Sequence, residues 1–261
     1  MTFADADLAR KLEAAEAAIA RSCAPPVDGA DPPAVLEIAG GCAIFAGVDS
    51  PLTQAVGIGL ASPVSPAELA CIEKFFSVRG ARTTIDLCPL ADYRLIALLA
   101  SRGYRVKQFC NVLVKRLAGW EIVLTPRVRR ATESEADFWS HTVGHGFFEQ
   151  AQLTGAEMGV GRAIFHMPGA LCYLAATETG EPAGGGALAV HDGLATLFAD
   201  STVPAFRQRG LHRELIAARL NEALARGCDL ATASTQPGSV SQRNYERLDF
   251  QVVYTRVTVE R

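Results

Sequence analysis

The chain has 261 residues, 49% of them apolar, which is enough to bury the core of one large domain or of two ordinary ones. A net charge of -3 lacks the basic excess that duplex binding requires, so we expect no nucleic-acid partner. The seven cysteines are scattered and show no CxxC spacing, which favours free thiols in a reducing compartment. Without a leader-like start or an apolar run of membrane-spanning length, we expect a cytoplasmic protein with no membrane contact.

The first half of the chain reads as a short helix and linker followed by an α/β unit. Apolar spacing, capping residues and turn residues set the boundaries. The predicted elements are a helix at 5–21, a Pro/Gly/Asp-rich linker at 23–33, strands at 34–47 and 53–60, a helix at 65–80, a strand at 83–87, a helix at 91–103 and a strand at 104–117.

The second half repeats this order. Three strands are predicted within residues 170–203, followed by a helix at 211–226, a strand at 229–234, a helix at 239–249 and a strand at 250–261. Gly80 and Gly227 both end a helix and lie 147 residues apart. This period predicts a duplicated domain, although any two α/β segments could share such an order. The predicted units are residues 1–33, 34–125 and 126–261.

The segment PAFRQRGLHREL, residues 204–215, places a short loop before the helix at 211–226. Backbone N–H groups at a helix N-terminus bind phosphate oxygens, a glycine permits close approach, and arginines add donors. The segment therefore predicts a pyrophosphate site. The alternative interpretation is the polar first turn of a surface helix.

Two motifs in this half resemble the GCN5-related N-acetyltransferase (GNAT) superfamily. Arg207 and Gly210 match the Arg/Gln-x-x-Gly-x-Gly/Ala signature, whereas His212 stands where a small residue is usual. Downstream, NYERLDF resembles the Tyr-x-x-x-Gly-Phe segment, with Tyr245 in place and Asp249 replacing the glycine. Residues 127–139 look like the first strand and helix N-cap of that family. The resemblance covers about residues 127–261.

This resemblance implies a GNAT fold, an α/β (α+β) architecture in which helices flank a mixed central sheet, here as two GNAT-like domains in tandem. It implies transfer of an acetyl or acyl group from acetyl-CoA to an amine, without a metal. Tyr245 is then the general acid for the coenzyme A thiolate, and Asp200 is a candidate base. The predicted cofactor-binding residues are Thr202, Val203, Arg207, Gln208, Arg209, Gly210, Leu211, His212, Ser241 and Asn244.

The first half resembles the same fold but lacks the phosphate loop, since Pro63 and Pro66 stand there without arginine or glycine. It is predicted to be a degenerate copy that serves as a packing partner or lid. The acceptor, a small-molecule or peptide amine, would lie against helices within residues 133–165.

Several alternatives remain open at this stage. A CoA-binding regulatory or scaffold protein without catalysis is the alternative function, and the protein could be a monomer or a homodimer. His141 and His145 have helical ligand spacing but lack a third ligand, so no metal site is predicted. The glycine-rich residues 180–186 favour a bulged or flexible hairpin over a phosphate loop.

Overall fold

A computed structural model describes residues 4–22 and 34–261, so the predicted linker at 23–33 lies outside the described residues. The helices are α1 (Ala6–Arg21), α2 (Pro66–Ser77), α3 (Arg94–Ser101), α4 (Ala136–Phe148), α5 (Gly155–Phe165), α6 (Leu211–Ala225) and α7 (Val240–Glu246). The strands are β1 (Ala34–Ile38), β2 (Gly41–Phe45), β3 (Gln54–Val56), β4 (Thr84–Leu87), β5 (Arg105–Arg116), β6 (Val128–Arg130), β7 (Leu171–Ala176), β8 (Pro182–His191), β9 (Leu194–Thr202), β10 (Leu230–Thr235) and β11 (Gln251–Glu260).

Local capping fixes most helix starts, as the sequence predicts. The Asp5 side chain accepts a hydrogen bond from the first turn of α1, and Ser65 forms a capping box with Glu68 at α2. One predicted strand differs, because residues 34–47 form the hairpin β1–β2. Ala39 and Gly40 both have positive φ, at 53° and 80°, which is the backbone of a tight two-residue turn.

All eleven strands form one mixed sheet in the order β1-β2-β3-β4-β11-β5-β10-β9-β8-β7-β6. Most neighbours are antiparallel, whereas β3 and β4 are parallel, as are β9 and β10. The last strand of each half lies in the other half of the sheet. β11 pairs with β4 of the first half, and β5 pairs with β10 of the second. The predicted mixed sheet flanked by helices is confirmed.

Helices cover both faces of the sheet. Successive side chains of a strand point to opposite faces, and on β5 Leu113 packs in the cluster under α6, whereas Val112 and Val114 pack in the cluster under α1. The face of α6 also carries α7 and, over the first half, α2 and α3. The opposite face carries α1 and α4, with α5 packed on α4. Within the described ranges, no helix is both long and apolar enough to cross a membrane.

Candidate active site

A slot opens between β9 and β10. The two strands pair in parallel only as far as Leu197 and Ala233, and beyond these residues they are no longer hydrogen-bonded neighbours. We call the gap between residues 198–203 and residues 234–236 the β9–β10 slot. It opens next to an irregularity in β9, because Ala199 and Asp200 both lie opposite the single Gly186 of β8. This two-against-one arrangement is a β-bulge, and Ala199 has a φ of 54°.

The predicted phosphate loop lies at the end of the β9–β10 slot. A 3-10 turn at Pro204–Phe206 leads into α6, and both Gln208 and Gly210 have positive φ, at 64° and 80°. Among the hydrogen bonds of the described chain, none uses a backbone N–H of residues 208–212 as donor. Consecutive free amides at a helix N-terminus form a concave anion site. The loop can therefore hold a phosphate group through its backbone.

Arginine side chains surround this loop, but Arg207 is engaged with the protein itself. Its guanidinium donates to the carbonyl oxygens of Thr202 and Gly146 and to the Glu149 carboxylate. Arg207 therefore ties the loop to the C-terminal end of α4. Arg209 lies over the Phe206 ring, with 5.4 Å between the guanidinium carbon and the ring centroid, and keeps an exposed charge beside the free amides.

The two predicted catalytic residues lie together beneath this loop. The Tyr245 hydroxyl donates to one oxygen of the Asp200 carboxylate, and Arg219 donates to the other. Tyr245 and Arg219 are fully buried, and the Asp200 side chain is 11% exposed. Burial by itself would raise the pKa of Asp200. The Arg219 charge and the hydrogen bonds that the Asp200 carboxylate accepts lower that pKa to about 2. The carboxylate is therefore ionised at neutral pH and is a weak base.

The same surroundings make Tyr245 a weak acid. Burial and the adjacent Asp200 charge raise the pKa of Tyr245 well above its usual value, because both disfavour the phenolate. The phenol packs edge-on against two rings, those of His212 and Phe250, at centroid separations of 5.8 and 4.9 Å. These contacts fix the ring, and the hydroxyl proton of Tyr245 points to Asp200.

His212 and Asn244 connect α6 to α7. The Asn244 amide nitrogen lies 2.9 Å from Nδ1 of His212, and Arg247 contacts the other end of the amide. This arrangement assigns the imidazole proton to Nε2. Nε2 is buried and has no hydrogen-bond partner within the described chain. It lies 3.9 Å from the nearer oxygen of the Asp200 carboxylate, which is beyond hydrogen-bond distance. His212, in the first turn of α6, therefore lies beside both Asp200 and Tyr245.

The remaining predicted cofactor contacts lie along the β9–β10 slot and the start of α7. Thr202 and Val203 follow the bulge, and Val203 donates its N–H to the carbonyl oxygen of Ala183 on β8. Ser241 lies in the first turn of α7 and is half-buried. Ser239 caps α7 by accepting a hydrogen bond from the N–H of Gln242. The structure thus groups the predicted residues around one slot.

The corresponding helix start of the first half is closed to anions. Ser65 caps α2, and the Glu68 carboxylate accepts from the Ser65 N–H, so a negative charge lies where α6 has free donors. Beyond β3, the carbonyl of Gly59 accepts a hydrogen bond from the N–H of Asp92, which joins the two loops across the equivalent gap. These contacts disfavour a phosphate ligand at α2.

Among the described residues, neither histidine of the α4 pair is hydrogen-bonded to Asp200 or Tyr245. His141 contacts the carbonyl oxygen of Ala151, and its ring centroid lies 6.2 Å from that of His145. Across residues 4–22 and 34–261, no group of three or more His, Cys, Asp or Glu side chains could hold a metal ion.

Two residues of this site were missed by the sequence analysis, Arg219 and Gly186. Arg219 lies at helical spacing from Leu211 and Leu215, within the apolar stripe of α6. A charged residue in a buried stripe requires a partner, and this signal could have indicated an internal acceptor. Gly186 belongs to the glycine-rich segment that predicted a bulged hairpin. The β7–β8 hairpin has an irregularity at Ala183, within that segment, and Gly186 also faces the separate bulge of β9.

Comparison with solved structures identifies the fold. A GCN5-related N-acetyltransferase from Kribbella flavida superposes with a TM-score of 0.69 at 18% identity, covering 100% of this chain and 96% of that one. A tandem GNAT protein from the clavulanic acid biosynthesis pathway gives 0.60 at 13% identity, over 100% and 96%. A GCN5-related N-acetyltransferase from Sphaerobacter thermophilus gives 0.58 at 12% identity, over 99% and 94%. The fold is therefore that of GNAT proteins, including a tandem one.

A comparison of sequences places the second half within a family. Residues 129–250 match the family model described as Acetyltransferase (GNAT) family. Residues 129–250 are thus a GNAT domain, as the motifs around Arg207 and Tyr245 predict. A search of curated proteins gives no significant match.

Proposed function

We propose that the protein is an N-acyltransferase that moves an acetyl group from acetyl-CoA to the amine of a small molecule or a peptide. The observation that carries this proposal is the row of free backbone amides at residues 208–212, at the end of the β9–β10 slot. The amides suit a pyrophosphate, and the slot suits an extended arm that pairs with strand backbone. Membership of the GNAT family supports acyl transfer from coenzyme A in general.

In the proposed reaction a neutral amine attacks the thioester carbonyl. A C–N bond forms, the C–S bond breaks and the thiolate leaves with the electron pair. The nitrogen loses one proton and the sulfur takes up one, so the products are an amide and the free thiol of coenzyme A. Because Val203 donates toward β8 and successive strand amides alternate, the Thr202 N–H points to the other side, into the β9–β10 slot. It is the proposed donor to the carbonyl oxygen as negative charge develops there.

Tyr245 is the proposed acid for the thiolate, as the resemblance implies. Its phenol donates to Asp200, so protonation of sulfur requires the hydroxyl to turn from that carboxylate. Its raised pKa makes the transfer to a thiolate of pKa about 8.5 unfavourable unless the cofactor changes these surroundings. Asp200 is then better suited to holding Tyr245 than to accepting a proton from the amine.

The state of Tyr245 also favours a second candidate, a CoA-binding regulatory or scaffold protein that does not catalyse transfer. In that protein the Asp200–Tyr245 pair would be purely structural. The two candidates predict the same cofactor binding but differ in thiol release, so one pair of measurements separates them.

The experiment combines calorimetric titration of acetyl-CoA with a thiol-release assay over a panel of amines. Wild type should bind one equivalent, because α6 begins with free amides, whereas the corresponding start of α2 is capped by Ser65 and Glu68. Gly210→Asp should abolish binding, since it strains a position with φ 80° and adds a negative charge. Gly80→Asp is the matched control, at φ 69° with open space around it, at the far end of α2.

Each outcome has a defined meaning. Thiol release that depends on an amine supports the transferase, whereas binding without release across the panel supports the second candidate. Equal affinity of Gly210→Asp and wild type would contradict the proposed cofactor site.

A further inference from the structure

The β-bulge of β9 is held by a side chain that reaches it from α6. Arg219 is fully buried on α6 and points at the sheet. Its guanidinium donates to the backbone carbonyls of Ala187 and Phe198, at 3.0 and 3.4 Å, and to the Asp200 carboxylate. Ala187 of β8 and Phe198 of β9 are the paired residues directly before the bulge, and Asp200 lies within it. A bulge interrupts the ladder of a strand pair, and Arg219 supplies donors at that interruption.

Gly186 makes this arrangement possible. A Cβ atom at Gly186 would lie 2.8 Å from Nη1 of Arg219 and 2.8 Å from the Asp200 carboxylate. Both distances are shorter than side-chain packing allows, and both neighbours are buried, so they could not move aside without breaking the ion pair. The glycine is therefore required by the close approach of this pair to β8.

The bulge is directly followed by the residues that face the cofactor arm. Leu197, the last β9 residue paired with β10, lies two residues before Ala199, where the bulge begins. Thr202 follows, and its carbonyl accepts from Arg207 of the phosphate loop. A shift of the bulge would therefore rotate the Thr202 backbone relative to the β9–β10 slot. The phosphate loop itself begins after the 3-10 turn and contacts neither Arg219 nor Gly186 in the described hydrogen bonds.

We propose that Arg219 is a positioning residue for the proposed reaction. It lies between Gly186 and Asp200, an arrangement that we call the clamp. By holding the bulge in place, the clamp fixes the shape of the slot that binds the pantetheine arm of the acyl donor. The inference rests on the proposed function, since it assigns a role in binding the same cofactor. Its distinctive consequence is that two separate parts of the site bind two different parts of the cofactor. The amides of residues 208–212 bind the pyrophosphate, and the bulge held by Arg219 binds the arm.

The test compares coenzyme A with ADP, which carries the pyrophosphate but no arm. Two variants disturb the clamp differently. Gly186→Ala adds one methyl group against Arg219 and Asp200, and Arg219→Lys keeps the charge on Asp200 but loses the fork that reaches both carbonyls. We expect the affinity for coenzyme A to fall about tenfold to a hundredfold in each, a range typical of misplacement by about 1 Å. The affinity for ADP should stay within about twofold, because the backbone amides of residues 208–212 make no hydrogen bond to Gly186, Arg219 or Asp200.

Gly159→Ala on α5 is the matched control, since a Cβ there meets nothing within 4 Å. It should leave both affinities unchanged. A general loss of structure would weaken both ligands together, so the ratio of the two affinities separates positioning from simple destabilisation. Circular dichroism establishes that each variant is folded, and Gly186→Ala keeps every charge in place if Arg219→Lys fails to fold.

Two results would overturn the inference. If coenzyme A and ADP weaken equally in folded Gly186→Ala, or if neither weakens, the clamp does not shape the arm site. Failure of wild type to bind coenzyme A would instead reject the proposed function itself, and the inference with it.

Discussion

Asp200 carries a charge inside the protein, and its surroundings decide what that carboxylate can do. Arg219 neutralises it, Tyr245 donates to it, and His212 lies near it. Transfer of a lone carboxylate into an interior is costly, but a hydrogen-bonded partner offsets that cost. The same pairing that stabilises the charge removes its basicity. The site is therefore better described as a tyrosine held by an ionised carboxylate than as an acid and a base that are ready to react.

This pairing predicts a pH dependence of stability for the wild-type protein. The folded-state pKa of Asp200 is about 2, below its usual 3.8. A lowered carboxyl pKa stabilises the fold above pH 3.8, and that contribution disappears as the pH falls through 3.8 towards 2. The contribution is roughly 2 kcal/mol by the linkage between pKa and free energy.

Urea unfolding of wild type and Asp200→Asn at several pH values measures this contribution. The variant should be less stable at pH 7, since Arg219 loses its charge partner, by about 3–5 kcal/mol as for a broken buried pair. The difference should narrow as the pH approaches 2. Asp7→Asn, whose side chain is 88% exposed, is the control and should show a constant small difference. A pH-independent gap for Asp200→Asn would contradict the expectation.

At the scale of elements, α1 is joined to β11 through charged side chains beneath the helix. Glu13 of α1 accepts hydrogen bonds from Arg256 and Tyr254 of β11. Glu16 and Asp86 lie 3.8 Å from the same guanidinium, so three carboxylates face one cation. Burial raises the pKa of Glu16 despite the Arg256 charge, and the neighbouring carboxylates add to the rise. α1 is thus docked with an excess of negative charge.

Glu16→Gln should therefore stabilise the protein at neutral pH. A raised carboxyl pKa means that the folded state holds its proton longer, so stability falls as the pH rises through 4.5 and the folded-state value. Glutamine removes that charge and keeps the shape. We expect a higher midpoint of thermal unfolding at pH 7, where each 1 kcal/mol corresponds to about 2–4 °C in a chain of this size.

Differential scanning calorimetry at pH 4 and pH 7 tests this expectation, with exposed Glu121→Gln as the control. The gain for Glu16→Gln should be larger at pH 7 than at pH 4. An equal or lower midpoint at pH 7 would show that the Glu16 charge stabilises the α1 contact.

For the whole molecule, exchange of β5 and β11 joins the two halves more firmly than a linker between domains would. β5 lies between β10 and β11, and β11 lies between β4 and β5. Most of the strand contacts at the centre of the sheet therefore join residues far apart in sequence. The division at residue 126 follows the chain, but three strand pairings of the sheet join residues on its two sides.

A fragment of residues 126–261 should consequently not fold as a stable monomer. Without β5, both β10 and β11 lose their shared neighbour, and each would expose an unpaired edge. We expect aggregation or a dimer that replaces the missing strand. Light scattering after size-exclusion chromatography and circular dichroism of the fragment, beside the full chain, measure this. A cooperatively unfolding monomer would instead support two independent domains.

The parts of the fold that were predicted correctly depend on neighbours in sequence. Asp5, Ser65 and Gly210 act on the turn next to them, so their roles follow from local chemistry. The hairpin at Ala39 was missed, because alanine gives no sign of a positive φ that its turn imposes. The roles of Arg219 and Gly186 depend on contact between an α6 side chain and a β8 backbone 33 residues earlier, and no local pattern encodes it.

By itself, the sequence determined the order of the elements and the loop at Arg207–Gly210 before α6 with Tyr245 downstream, since spacing and turn chemistry are properties of the chain. The domain duplication and phosphate binding by that loop stay predictions. Only the tertiary structure decided what surrounds these elements and residues. It committed the Tyr245 proton to Asp200, engaged Arg207 with α4, and exchanged β5 with β11. These outcomes arise from packing and charge compensation between distant segments, and such interactions form only when the sheet is assembled.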